Sequence, residues 1–411
     1  MGRKLVNYTR RTIPSIPNPM TNASTANLDW HGRLGDPSWE APIRVTECDK
    51  SARPGYAHTK AHEYNDVPEV LRAKIALLAT MIRASRHCLV YSGAGISTAA
   101  GIADYASVSM ETKGARPDGQ SGPKMLSSSP MAAIPTLSHR VLVALYRAGM
   151  LKCWVQQNHD GLPQKAGLPQ HAINEIHGAL YDPSNPVIPM SGVLRSDLFA
   201  DFDRHCEEAD LCVAVGTSLA GMNADQCVER CAQRLQRNNW NPSSVAGPLY
   251  GSVIIGLQQT QHDAIASLRI FARLDDCMRL LAAALDLERH MPVEGCLFAL
   301  PSTLPAEQVL GNDVFLVPYS TAGERLTGTP RIEDMLRWDL SEDAKVKITA
   351  GAHKGDLGDV VGRSLEGHVK IRFFHPIGTK GFKAPMERTL GTWWIQAAVE
   401  GTVPLLPVVN A

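Results

Sequence analysis

The chain has 411 residues, long enough for two or three domains, and 41 Lys plus Arg balance 41 Asp plus Glu, so no global charge draws it to nucleic acid or an anionic membrane. Its nine cysteines are scattered with no Cys-x-x-Cys pair, which excludes a disulfide framework and a zinc ribbon and suits a reducing compartment. No apolar stretch approaches a membrane span and no signal-peptide core follows Met1, so the expectation is a soluble intracellular protein, nuclear or cytoplasmic, without membrane contact.

Residues 1–65 are rich in Pro, Asn, Ser, Thr and Gly and read as an extended N-terminal arm. Its first residues carry Arg3, Lys4, Arg10 and Arg11 without an acid, a pattern shared by organelle leaders and disordered tails. Residues 66–290 alternate helical and strand patterns. Val70, Leu71, Ile75, Leu78 and Ile82 recur at helical spacing and lead into an apolar run ending at Tyr91, which reads as a buried strand. Gly93-Ala94-Gly95 follows. Glycine there tolerates positive φ and lets the backbone approach a pyrophosphate, and Ser97 is placed to cap a following helix. Ala106 to Pro135 reads as a loop, Leu137 to Gly149 as a helix, Cys153 to Gln156 as a strand, and Ala209 to Val215 as a helix end running into a strand. Gly251 to Leu257 is a further strand, and Ile265 to Leu285 shows Leu268, Phe271, Leu274, Met278, Leu281 and Leu285 on one helical face. Such alternation predicts an α/β fold, a doubly wound parallel sheet of Rossmann-like type.

Residues 291–340 hold Pro, Gly and Thr around a short strand at Val314 to Val317, and read as a linker or packing extension. Residues 341–411 change texture. Lys345 to Ile348 and His368 to Phe373 alternate with period two around a glycine-rich turn, predicting a small antiparallel β-barrel. This stretch resembles the short glycine-centred motif named KOW. Barrels of that kind bind RNA or protein, and Lys345, Lys347, Lys354, Arg363, Lys370 and Arg372 suit such a contact; a solvated face on a packed domain is the competing reading.

Four further segments stand in order after the glycine turn: Gly101-Ile102-Ala103-Asp104-Tyr105, Gln157-Asn158-His159-Asp160-Gly161-Leu162, Glu175-Ile176-His177-Gly178 and Gly216-Thr217-Ser218-Leu219. Together they resemble the sirtuins, NAD-dependent protein deacylases, over residues 66–290, and the wording from Val90 to Ile102 and at Leu137-Ser138-His139 is most similar to the branch with the nuclear class IV members. The resemblance implies NAD as cofactor and an acylated lysine protein or peptide as partner. It makes His177 the base for the ribose hydroxyl and has Asn158 position the ribose and the attacking water. By the same resemblance Asp160 receives the nicotinamide carboxamide and Gln157 supports the ribose. Gly93, Ala94, Gly95, Ser97, Asp104, Gly216, Thr217 and Ser218 complete the cofactor contacts. An imidazole titrating near neutrality suits His177's task, and ligands bind α/β sheets at their carboxyl edge.

The chain departs from the family pattern at several points. Ala106 stands where an arginine is usual, Pro163 replaces a histidine, His159 occupies an aliphatic slot, and Gly256 replaces an asparagine, with Gln258 or Gln259 as substitutes. The four zinc cysteines expected after His177 are missing: Cys206 is the one cysteine between His177 and Cys212, and Cys227 with Cys231 supplies two thiols where a structural site needs four ligands. Zinc is therefore expected to be absent and the small module reduced. In its place stands Tyr181 to Gly192, where Val187 and Ile188 resemble the start of the substrate-pairing loop but the Phe-Gly-Glu after it is missing. Three functions follow: a protein-lysine deacylase transferring the acyl group to ADP-ribose, an NAD glycohydrolase or ADP-ribosyltransferase, and a non-catalytic NAD or ADP-ribose sensor.

Overall fold

The computed structural model describes residues 30–49, 51–53, 56–102, 132–189, 192–237, 250–295, 304–311, 313–377 and 382–411. Asp104, Ala106 and most of the loop expected from Ala106 to Pro135 lie outside the described residues.

The segment before Asp66 was expected to be extended, yet its described part is built onto the α/β unit. Four short strands, β1 (Ile43–Thr46), β2 (Ser51–Arg53), β3 (Tyr56–Lys60) and β4 (Glu63–Asn65), pair as β1 with β4 and β2 with β3, both antiparallel. The Arg33 and Leu34 amides donate to the carbonyls of Ala266 and Ser267 at 3.0 and 2.8 Å, and His31 and Leu34 are buried. These contacts join residues far apart in sequence, so local composition carries no sign of them.

Helix α1 (Pro68–Ala84) opens on a proline at its first turn, where the missing N–H costs nothing, and buries Val70, Ile75, Leu78 and Ile82 along one stripe. The sheet then takes β5 (Cys88–Ser92), helix α2 (Leu137–Arg147), β6 (Cys153–Gln156), β7 (Ile173–Asn174), helix α3 (Ser196–Glu208), β8 (Leu211–Val215), helix α4 (Gln226–Arg237), β9 (Gly251–Ile255), β10 (Leu268–Ile270) and helix α5 (Leu274–Ala284). All six strands are parallel, in the order β10-β9-β8-β5-β6-β7. Every residue of β5, β8 and β9 is buried, as expected of strands covered on both faces, which is why they read as continuous apolar runs. The strand order reverses between β5 and β8, the switch point at which doubly wound sheets bind ligands.

Two readings need correction. The helical face drawn from Ile265 begins too early: Leu268 to Ile270 pair in parallel with Val253 to Ile255, and the helix starts only at Leu274. A buried three-residue strand followed by a helix mimics one apolar face because both elements point their apolar residues at the same core. Ser97 does not cap a helix. Two short 3₁₀ turns, Ala94–Ile96 and Thr98–Ala100, follow β5, and the Ser97 hydroxyl is engaged elsewhere.

The rest of the chain builds a second core. Strands β11 (Val309–Gly311), β12 (Val314–Val317) and β13 (Leu336–Asp339) form one antiparallel sheet, and β14 (Lys345–Ile348), β15 (Leu357–Arg363), β16 (Val369–Ile377), β17 (Phe382–Leu390) and β18 (Val408–Asn410) another, in the order β17-β16-β15-β14-β18, with helix α6 (Thr392–Val399) beside them. Lys345 and Lys347 point out while Val346 and Ile348 point in, the period-two pattern of a half-buried strand. The stretch 291–340 contributes Phe315, Val317 and Trp338 to this core, and Tyr181, from the α/β unit, is buried in it as well.

Candidate functional site

The switch point brings two turns into contact. The Gly93 amide donates to Val215 O at 3.1 Å and the Gly95 amide to Gly216 O at 2.8 Å. A Cβ on Gly93 would meet Thr217 Cβ at 2.8 Å, and one on Gly95 would meet Gly216 Cα at 2.8 Å; Gly216 itself has φ +58°. Glycine is thus required where the two turns touch, beyond any approach to a ligand. The amides of Ala94, Thr217 and Ser218 donate to no acceptor among the described residues, so this edge presents free N–H groups, the chemistry that receives a phosphate. Ser218 is exposed, and Ala94, Gly95, Gly216 and Thr217 are half-buried.

The loop after β6 closes onto the same edge. Gln157 Nε2 donates to Thr217 Oγ1 at 2.9 Å. Asn158 Nδ2 donates to Gly93 O at 3.2 Å and to Ser97 Oγ at 2.9 Å, while Ser97 Oγ donates to Asp160 Oδ2 at 2.7 Å. The buried Asp160 carboxylate also accepts from the Leu162 amide at 3.0 Å and Gln156 Nε2 at 3.3 Å. Gly161, with φ +64°, makes the turn that lets Asp160 reach back to its own chain.

His177 precedes a second left-handed glycine, Gly178 at φ +95°, whose missing Cβ leaves room for Pro186 O. Burial, then the nearby His159, pushes the His177 imidazole down to about 4. Among the described residues nothing hydrogen-bonds its ring. The two loops are tied together: His159 Nδ1 lies 2.7 Å from Gly178 O, and the Leu180 amide donates to His159 O at 3.0 Å. Asn158, Asp160 and Ser97 therefore form one hydrogen-bonded cluster with the Gly93 turn, and the His177 loop is attached to it through His159.

Similarity to known proteins bears on this arrangement. No protein-family model matches the chain. NAD-dependent protein deacetylase sirtuin-7 of Rattus norvegicus is 32% identical over 321 residues, covering 68% of this chain and 76% of the relative. The chain belongs to the sirtuin family. The human sirtuin-7 is 31% identical over 320 residues with the same coverage, and the deacetylase SRT1 of Arabidopsis thaliana is 28% identical over 266 residues, covering 55% of this chain and 52% of that protein. Among solved structures, a Sir2 enzyme aligns over 52% of this chain and 98% of its own at 19% identity and a TM-score of 0.41.

As a sirtuin, the chain has an unusual stretch after His177. No cysteine lies between Cys153 and Cys206, so these residues do not fit a four-thiolate zinc site. Cys227 and Cys231 are buried on α4, and the Cys231 sulfur accepts from Arg234 at 3.3 Å. Two groups of potential metal ligands do occur among the described residues, His87 with His205 and Glu208, and Cys153 with Asp201 and His205. Both lie at the amino edge of the sheet, opposite the site, where Arg204 is already paired with Asp201 at 2.7 Å and Glu208 at 3.3 Å.

Two residues of this region were named in the sequence segments without a role. Gln156, the last residue of β6, braces Asp160, and the polar ending of an apolar run was its one signal. Glu175 is fully buried with Gln170 and Asn185 against it, and burial raises its carboxyl to about 8, so it stays protonated at neutral pH.

Proposed function

We propose that this chain is an NAD-dependent protein-lysine deacylase, transferring the acyl group to ADP-ribose with release of nicotinamide. The observation that supports this most is the joining of the His177 loop to the Ser97, Asn158 and Asp160 cluster at the switch point of the sheet, in a chain of this family. The free amides of Ala94, Thr217 and Ser218 fit the diphosphate of NAD, and Gln157 and Asn158 fit its ribose. When bound, NAD supplies an electrophilic sugar carbon and a neutral leaving group. Ser97 fixes the Asn158 amide so that its oxygen is free to orient a ribose hydroxyl or water. His177, neutral at physiological pH because of its burial, accepts the proton of a sugar hydroxyl. The acyl-lysine partner reaches the site beside Val187 and Ile188. The amide of Ile188 is committed to His177 O at 3.1 Å, so a substrate strand pairs with the outer edge of that loop.

In this reading the catalytic unit is 66–290, the arm 1–65, the extension 291–340 and the C-terminal KOW-like barrel 341–411 are accessory, and the protein belongs to the class IV branch and acts inside the cell, in nucleus or cytoplasm. Zinc has no place in it. The barrel's contact with RNA or protein is weakened as a reading by three of its six cations: Lys345 is paired with Asp359, Arg363 with Asp313 and Lys370 with Glu387.

An NAD-consumption assay with and without a mixed acyl-lysine peptide pool tests the function, with His177→Ala as control. Nicotinamide release should depend on the peptide and fall by roughly a hundredfold or more in the variant, the size of a lost general base. Release without peptide would point to a glycohydrolase or ADP-ribosyltransferase instead. Tight NAD binding with no turnover on any peptide would leave the sensor.

A further inference from the structure

The stretch that follows His177 is held in shape by the C-terminal module. Tyr181 is packed between two aromatic rings of that module, 4.8 Å from the centroid of His368 and 5.0 Å from that of Trp393, which are themselves 5.2 Å apart. The Gly391 amide donates to Tyr181 O at 3.0 Å, and the Thr392 amide to His368 Nδ1 at 3.2 Å. Two residues on, Arg388 donates to Pro183 O at 2.6 Å. One further on, Gly351 sits so close to Ser184 that an added Cβ would lie 2.4 Å from Ser184 O. The contact also reaches the other catalytic loop: a Cβ on Gly161, the neighbour of Asp160, would lie 2.7 Å from the Tyr181 ring and 3.2 Å from Trp393.

From these anchor points the order runs inward to His177. The Ala179 amide donates to Asn185 O at 2.8 Å, Asn185 Nδ2 donates to Glu175 O at 2.9 Å, the Ile188 amide donates to His177 O, and Leu180 donates to His159 O. Residues 175–188 are thus a closed loop, knotted by its own backbone bonds and gripped from outside at Tyr181, Pro183 and Ser184. No metal-ligand group among the described residues lies in it.

We propose that the C-terminal module is a working part of the active site, in which His368, Trp393 and Arg388 are positioning residues that hold the 175–188 loop, and with it His177, against the Asn158–Asp160 loop. The inference rests on the reading of His177 as the base, but its structural half stands apart from that reading. The loop holds no thiolates; Ile176 packs it into the α/β unit, and the aromatic pair packs its Tyr181 end from a second core. The module therefore couples to chemistry through geometry alone: displacement of a catalytic group by about 1 Å is enough to cost on the order of a hundredfold in rate.

The test compares the full-length wild type with Trp393→Ala, Trp393→Phe and Arg388→Met by three readouts. Hydrogen exchange of the Ala179, Leu180 and Ile188 amides should lose protection in Trp393→Ala, with β5 and β8 unchanged, and Trp393→Phe should restore most of it. The His177 imidazole, followed by NMR, should titrate near 4 in the wild type and move towards 6.5 in Trp393→Ala as water enters, with His159 as the titratable neighbour that bears on it. With NAD and the acyl-lysine pool, kcat should fall roughly tenfold or more while KM for NAD changes less than about threefold, the signature of a misplaced reacting group. Where Trp393→Ala does not fold, Arg388→Met, which removes the Pro183 grip and leaves the aromatic pair, decides by the same readouts. Unchanged protection and an unchanged His177 midpoint in a folded variant overturn the proposal, as does equal loss of protection across β5 and β8, which marks a merely structural domain contact. Loss of protection and a shifted midpoint in a protein with no NAD turnover in any form would sustain the brace and overturn the deacylase reading alone.

Discussion

Ser97 shows most plainly how the site is assembled. Its hydroxyl donates to Asp160 and accepts from Asn158, so one oxygen fixes two groups that belong to a different loop. Ser97→Ala removes both bonds and leaves a half-buried amide hydrogen and a buried carboxylate oxygen with one partner fewer, at a cost of about 1–3 kcal/mol. If that cost falls on the reacting arrangement, kcat/KM for NAD drops roughly 5- to 150-fold, and steady-state kinetics with the acyl-lysine pool measures it. A Ser97→Ala enzyme within twofold of wild type would separate this cluster from the chemistry. The motif order in the sequence pointed to Ser97, Asn158 and Asp160 one by one but assigned Ser97 a helix cap, because a serine after Gly-x-Gly is locally a cap and its true partner is brought in only by strand pairing of β5 with β6. The glycines carry the same lesson. Gly93 and Gly95 signal a nucleotide turn on their own, whereas the need to fit against Gly216 and Thr217 is a property of two turns distant in the chain.

At the level of elements, α1 carries a lysine within its apolar stripe, and this decides how the helix is held. Lys74 Nζ donates to Asp66 Oδ1 at 2.6 Å and to Trp30 O at 3.0 Å, with both side chains fully buried, and Asp66 Oδ2 accepts from the Phe271 amide at 2.9 Å. Burial pushes the Lys74 amine down to about 8 and the Asp66 carboxyl up, each opposed by the other's charge. Lys74→Met leaves an uncompensated carboxylate and should cost about 3–5 kcal/mol, whereas Lys74→Met with Asp66→Asn should recover a large part, since the amide still accepts from Phe271. Urea unfolding midpoints compare the two, and a double variant no more stable than the single one would refute the pair as the source of the loss. The period of α1 was readable without the pair, since Val70, Ile75, Leu78 and Ile82 suffice. The short strand β10 and the paired strands before Asp66 were not, because a three-residue strand is too short to show a period and is identified by its neighbour β9.

Over the whole molecule, four of the buried histidines divide between the two cores: His31 and His139 in the α/β unit, His177 at the site and His368 beneath Tyr181. Burial is the leading cause that lowers each to about 4. The unfolded chain protonates the same groups near 6.5, so below that pH it binds protons that the folded chain refuses, and stability falls as pH drops from 6.5 towards 4. Glu175 acts the other way. Its folded carboxyl at about 8 lies above the unfolded value, so between 8 and 4.5 it favours folding as pH falls. His87, His171 and His205, also lowered by burial, add to that loss, while Asp66, Asp182, Asp225 and Asp263, raised by burial, act with Glu175; the histidines outnumber the carboxyls, and the net direction is loss. Thermal melts from pH 8 to pH 4 should therefore show a Tm that rises modestly from 8 to about 6.5, where Glu175 acts before the histidines, and declines steeply below it. Because the histidines sit in both cores and the cores share Tyr181, far-UV dichroism and the fluorescence of Trp393 and Trp394 should move together through the acid transition. A Tm that holds or rises down to pH 4.5 would mean that the imidazoles are reached by water in the folded state, and a fluorescence transition well ahead of the dichroism would mean that the second core opens before the sheet.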